Sequence, residues 1–208
     1  PLTASPRPSR SPRPRAPEPE FAWKVSKVSA EDLGKKSWRT GCPVEPSALR
    51  SVSLSFWGFD QELHTGVLIL HRDVVKKTRP VFKVMFEENF PLRSVRPVSE
   101  FGASDDASMA ADNTSAFNCR RAVAAGPPSW SRHAHGKAID VNPVENPYLF
   151  GTKVLPPGGK KFTDRSTARR GMIRRRDPIH QPFSRRGTAG AASSPTRTTS
   201  TSIAELTR

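Results

Sequence analysis

Ser131-Arg132-His133-Ala134-His135-Gly136-Lys137-Ala138-Ile139-Asp140, continuing through Val141-Asn142-Pro143, is the stretch whose residue types could do chemistry. It sets an imidazole, His133, and a carboxylate, Asp140, on either side of a glycine. These are first-choice ligands for an open catalytic Zn²⁺, which keeps one coordination position for water. Gly136 lets the backbone turn between them, so a separation of seven residues can still bring both side chains to one point. Ala138-Ile139-Asp140-Val141 alternates like a short half-buried strand, which would hold the Asp140 carboxylate rigidly. The same residues also suit a hydrogen-bonded loop with no metal, and the stretch by itself leaves both open.

The elements that must position this stretch are legible in outline. Folded structure should begin near Phe21 and Trp23. Residues 49–59 and 65–70 read as strands, the second a continuous apolar run of Val67, Leu68, Ile69 and Leu70, with Trp57-Gly58-Phe59-Asp60 as the turn of a hairpin. Asp73 then reads as the cap of a helix. Val74, Val75, Val81, Phe82, Met85 and Phe86 fall near helical spacing, and Pro80 should force a kink or a fresh first turn. Residues 92–98 look like a further strand with Arg93 and Arg96 outward. Together these predict an α+β domain, a small antiparallel sheet packed with helices. His64 and His71 flank the second strand at odd spacing, so they should face opposite ways and serve as strand-end groups. Residues 105–120 are polar and rich in small side chains. A connection that long and irregular is either floppy or functional. Cys42 and Cys119 form either one long-range disulfide, as in an exported domain, or two separate buried thiols.

The chain has 208 residues, enough for one domain with tails, and a formal net charge of +15. Eleven basic residues lie between Lys153 and Arg186 against only Asp164 and Asp177. Such a run is a solvated cationic surface or a site of attraction to anionic polymers. Nucleic-acid binding would call for aromatics among the basic residues, and only Phe162 and Phe183 are there, so no nucleic-acid partner is expected. No apolar run approaches the roughly 18 residues of a membrane span. Residues 1–20 are Pro, Arg, Ser and Ala with almost no large apolar side chain, which predicts a disordered linker. Pro1 leaves room for an export leader or anchor before it, though none is visible.

The longer string SRHAHGKAIDVNPVENPY resembles the S-x-H-x-x-G-x-A-x-D signature of the zinc D-Ala-D-Ala carboxypeptidases and dipeptidases, the VanY-like metallopeptidases of the hedgehog/DD-peptidase fold. GCPV near Cys42, LSFWGFD, HTGVLILHRDV, FPLRSVRPV and DDASMAADNTSAFNCR resemble one branch of that family, in order, from about residue 21 to 183. The resemblance implies a zinc-dependent enzyme that cuts peptidoglycan stem peptides, outside the cytoplasm or in the cell wall, as a monomer. It makes His133 and Asp140 two of three metal ligands. Arg120 matches the arginine that faces the active site, where its guanidinium would hold the substrate carbonyl oxygen and the charge growing on it. Ser131 matches a position that helps hold the substrate's backbone or carboxylate. Neither His64 nor His71 matches a metal position.

The family's third ligand and its general base come from a C-terminal D-x-x-H or E-x-x-H element following a Trp-Gly-Gly segment. After Phe183 this chain has no His and no Asp, and Glu205 stands alone. His135 and His180 are the substitute ligands to consider. A one-base shift explains the loss. Residues 197–203, Arg-Thr-Thr-Ser-Thr-Ser-Ile, can be written CGG ACT ACC AGC ACT TCG ATC, which shifted reads GAC TAC CAG CAC TTC GAT, or Asp-Tyr-Gln-His-Phe-Asp. The same shift over residues 189–194 can yield Trp-Gly-Gly-Glu-Phe. The expected organisation is therefore a linker at 1–20, a carboxypeptidase-like domain at 21–183 that lacks its C-terminal part, and a low-complexity, disordered, out-of-frame tail at 184–208. Such a chain is an impaired zinc peptidase or a non-catalytic wall- or peptide-binding relic of one.

Overall fold

The computed structural model describes residues 19–123, 127–174 and 177–180. Nearly all of the 1–20 linker and all of the 184–208 tail lie outside them. The architecture is α+β. β1 (Trp23–Lys27) leads to a one-turn helix α1 (Ala30–Leu33), which Ser29 and Asp32 close with a reciprocal capping box. β2 (Leu49–Gly58) and β3 (Leu63–His71) form the expected hairpin, with Leu49 opposite His71 and Trp57 opposite Leu63. β1 pairs antiparallel with the other edge of β2, and the two-residue β4 (Pro91–Leu92) runs parallel to that same edge at Trp57–Gly58.

Alternation along β2 and β3 sorts their side chains between two apolar clusters. Val52, Leu54, Phe56, Leu68 and Leu70 point at α2 (Arg72–Glu87), whose Val74, Val75, Val81, Phe82 and Met85 complete the main core. Leu49 and Ile69 point the other way, to Val28, Leu33, Val44, Phe117 and Cys119. Cys42 and Cys119 meet in a disulfide at that second cluster, with Cα atoms 5.9 Å apart.

Several expectations need correction. The cap of α2 is His71, whose Nδ1 accepts from the Asp73 amide at 3.2 Å; Asp73 lies in the first turn, where its charge suits the helix N-terminus. No fresh turn starts at Pro80: the helix runs through it as one element, with its apolar residues on both sides buried in the main core. Residues 92–98 do not form one strand. β5 (Ser94–Val95) is two residues long, and Pro97 ends the extended run before a 3₁₀ turn at Val98–Phe101. Residues 105–120 are not irregular throughout: α3 (Asp105–Ala110), capped by Ser104, precedes β6 (Asn113–Thr114), which pairs parallel with β5. Ala138–Val141 is no strand and keeps a single bridge, Asp140 to Ser115. A hairpin of β7 (Tyr148–Phe150) and β8 (Lys153–Leu155) completes the elements. His64 and His71 do face opposite ways, His64 beside Phe56 and Asp60, His71 beside Leu49. Among the described residues no helix is long and apolar enough to cross a membrane.

Candidate active site

The His133 turn is fixed from three directions. Arg132–His135 is a 3₁₀ turn that ends at Gly136 with φ 63°. Gly136 O accepts from the His71 amide at 2.8 Å, and a Cβ on Gly136 would stand 2.8 Å from that same nitrogen. Only glycine allows both the left-handed turn and this approach to the end of β3. From the second direction, residues 115–120 thread between β3 and the turn: the Phe117 amide bonds Ile69 O at 3.1 Å and the Asn118 amide bonds His133 O at 3.1 Å. From the third, Ser131 caps the turn, its hydroxyl accepting from the His133 amide at 3.2 Å. Replacing that hydroxyl should cost about 1 kcal/mol, as for other lost caps. A lower urea midpoint for Ser131→Ala would show it; an unchanged midpoint would leave Ser131 only a contact with ligand.

His133 and Asp140 then meet. His133 Nε2 lies 3.2 Å from Asp140 Oδ2, and His133 Nδ1 lies 2.7 Å from Ala116 O. That carbonyl can only accept, so Nδ1 carries a proton toward it and Nε2 is the nitrogen turned to Asp140. His133 is buried, and Asp140 is half-buried. Burial works against charge on each, but their mutual attraction overrides it, raising His133 above the ordinary imidazole range and holding Asp140 below the usual carboxylate range. The imidazolium half of this pair is lost as pH rises, so a cation competing with that proton would bind more tightly at higher pH.

The pair sits in a cavity of about 300 Å³. Asp105, Asp106 and Met109 of α3 form one wall, and Trp130, Tyr148 and Leu155 another; Arg120, Ser131 and Arg132 also line it. The structure thus brings together all four residues picked out in the sequence: Arg120, Ser131, His133 and Asp140. Arg120 Nε is 2.8 Å from Asp105 Oδ2, close enough for an ion pair although the N–H does not point along the contact. Asp105 Oδ1 accepts in turn from Asn118 at 2.9 Å. Asp105 and Asn118 escaped the sequence reading because their pairing depends on how residues 105–120 fold back. His135 stands apart, beside His71 and Lys137 rather than in the cavity. His180 ends a short turn at Pro178–His180, and its side chain lies outside the described groups.

The donor set fits part of a zinc site. Zinc ligands at about 2.0–2.1 Å in tetrahedral array stand roughly 3.3 Å from one another, close to the observed 3.2 Å. The carbonyl behind His133 is the usual outer partner that fixes a ligating imidazole. Among the described residues, however, no group of three His, Cys, Asp or Glu side chains could hold a metal. Within the described residues, His133 and Asp140 offer two donors at this spacing.

Residues 125–189 match the family model of D-alanyl-D-alanine carboxypeptidases, so this part of the chain is similar to a carboxypeptidase-type hydrolase. The matched stretch contains Ser131, His133 and Asp140. No curated protein and no solved structure matches the chain.

Proposed function

We propose that the chain is a zinc metallopeptidase of the D-alanyl-D-alanine carboxypeptidase type by descent, built to hydrolyse peptidoglycan stem peptides, and impaired as written. The observation that carries this is the 3.2 Å approach of His133 Nε2 to Asp140 Oδ2 inside the cavity, with Ala116 O behind the imidazole. In this reading His133 and Asp140 would hold Zn²⁺. Bound there, the ion supplies Lewis acidity and a water nucleophile usable at neutral pH. Arg120 receives the scissile carbonyl oxygen. Asp105 takes the guanidinium's Nε and Arg121 O accepts from Nη1 at 3.3 Å, so the remaining terminal N–H groups are the ones to meet the oxygen and the charge that grows on it. Ser131 holds the peptide backbone or terminal carboxylate beside it. The apolar faces of Trp130, Tyr148 and Leu155 shelter the site from water.

The impairment follows from what comes after Phe183, where the chain has neither His nor Asp. The one-base shift would restore both a third ligand and a base as Asp-Tyr-Gln-His, and the end of the family match at residue 189 supports a break close to 183–188. The Cys42–Cys119 disulfide supports a place outside the reducing cytoplasm, at the cell wall. Exposed Lys153, Lys160, Lys161 and Arg169 suit an anionic wall surface.

A second reading is favoured by the intact cavity around an incomplete ligand set: a non-catalytic wall- or peptide-binding relic. Zinc content of the purified chain separates the two, measured beside His133→Ala and with hydrolysis of a D-Ala-D-Ala-terminated peptide. Stoichiometric zinc that depends on His133, together with turnover, would overturn the impairment. Neither zinc nor turnover, with peptide still bound, would favour the relic.

A further inference from the structure

Behind the cavity lie two carboxyl groups that the proposed chemistry does not use. Asp112, between α3 and β6, is 6 % exposed, and Glu145, five residues past Asp140, is 4 % exposed. The two carboxyls adjoin each other. Asp112 Oδ1 accepts from the Val144 amide at 2.9 Å. If both groups were ionised, Asp112 Oδ2 and Glu145 Oε2 would be buried without a hydrogen bond, with the Arg93 guanidinium 3.6 Å from Asp112 Oδ2. One shared proton supplies the missing donor, as it does wherever two carboxyls occupy one site.

The surroundings provide little else. Among the described residues Arg93 is the cation that acts on the pair, with Nε 3.6 Å from Asp112 Oδ2, and its guanidinium lies 4.0 Å over the Phe59 ring near the surface. Arg165 faces the main chain instead, donating to Glu145 O at 2.7 Å and Ile173 O at 2.6 Å. Gly171 presses on the other side, where a Cβ would stand 3.1 Å from Glu145 Cγ and 2.5 Å from Phe59 Cζ.

The location matters because of what hangs on each partner. From Asp112 the chain runs through β6 to Ser115, which exchanges backbone bonds of 3.1 and 2.9 Å with Asp140, and to Ala116, whose carbonyl holds His133 Nδ1. From Glu145 it runs back through Asn142, whose amide bonds Thr114 Oγ1 at 3.1 Å, to Asp140 itself. The carboxyl contact therefore joins the far ends of the two segments that carry Asp140 and the carbonyl behind His133.

We infer that Asp112 and Glu145 are a proton-sharing pair that positions His133 and Asp140 from behind the cavity. The inference rests on His133 and Asp140 being the chemical centre, but testing it needs neither metal nor turnover. Burial and the bond to Asp112 push Glu145 up to about 8, and burial raises Asp112 as well. A carboxyl raised on folding stabilises the fold at low pH, and that contribution is lost as pH rises through its folded value. The clamp is thus closed at neutral pH and opens on the alkaline side.

The test follows His133 ring resonances and the melting temperature of the metal-free chain from pH 6 to 10, beside Glu145→Gln. The amide of Gln keeps a donor to Asp112 at every pH. His133's own titration is common to both chains, so their difference isolates Glu145. In the unaltered chain the melting temperature should fall from pH 6 and level off above about 8, and the ring resonances should shift with a midpoint near 8. In Glu145→Gln the ring should show only the titration of His133 itself, and the melting temperature should lose less between pH 6 and 8. Identical ring and melting profiles in the two chains would overturn the inference, as would a melting difference that leaves the His133 ring unchanged between them. Should Glu145→Gln not fold, Asp112→Asn supplies the donor from the other side and is held to the same outcomes. Absence of any step between pH 7 and 9 in the unaltered chain would also sink it.

Discussion

A chain whose codons from about residue 183–188 onward are read in the shifted frame is expected to hold one zinc ion and to release D-alanine from a D-Ala-D-Ala-terminated peptide. The chain as written should do neither. The shift changes nothing in the 300 Å³ cavity, the Arg120–Asp105 contact or the 3.2 Å His133–Asp140 approach. On the proposed reading it adds a third ligand and a carboxylate able to take a proton. A positioned base by itself is worth about 10²–10⁴ in rate, so restored turnover should exceed that of the present chain by at least that range. His133→Ala in the restored chain should abolish zinc binding and turnover together. Coding DNA whose bases forbid Asp-Tyr-Gln-His in the shifted frame would end the idea before any assay, and a restored chain without zinc would end it after.

Sequence patterns revealed local features and missed distant pairings. The β2–β3 hairpin was legible because Leu68 and Leu70 on one face and Ile69 on the other are dictated by alternation within one short segment. The apolar face of α2 was legible for the same reason. Its cap was misplaced by two residues because Asp is the commoner cap, whereas here the Nδ1 of His71 does the accepting. The alternation at Ala138–Val141 suggested a strand, but the facing segment offers only Ser115 before turning away, so one bridge forms. His133 and Asp140 could be picked out because a glycine-centred turn fixes their separation from within. Asp105 with Arg120, and Asp112 with Glu145, are meetings of segments far apart along the chain, which no spacing rule announces. The cysteines stood between these cases: their types suggested a bridge, and only the packing of Leu49, Ile69 and Phe117 brings them together.

Removing that bridge is the second large effect expected. Cys42 and Cys119 are separated by 77 positions, and closing a loop of that size restricts the unfolded chain by about 4 kcal/mol, on the order of a thousandfold in the folding equilibrium. The Cys42→Ala/Cys119→Ala double variant avoids leaving a free thiol and should unfold at a clearly lower urea concentration than the oxidised chain. Under reducing conditions the unaltered chain should fall to the same midpoint. Equal midpoints for oxidised chain and double variant would mean that the second cluster holds residues 117–120 without help. The consequence would reach the cavity, because Cys119 lies between Asn118 and Arg120. Asn118 fixes Asp105, and Asp105 fixes Arg120, at 2.9 and 2.8 Å. The bridge therefore anchors the residue proposed to meet the substrate oxygen to the sheet, and a chain without it should bind peptide more weakly even at urea concentrations where it remains folded.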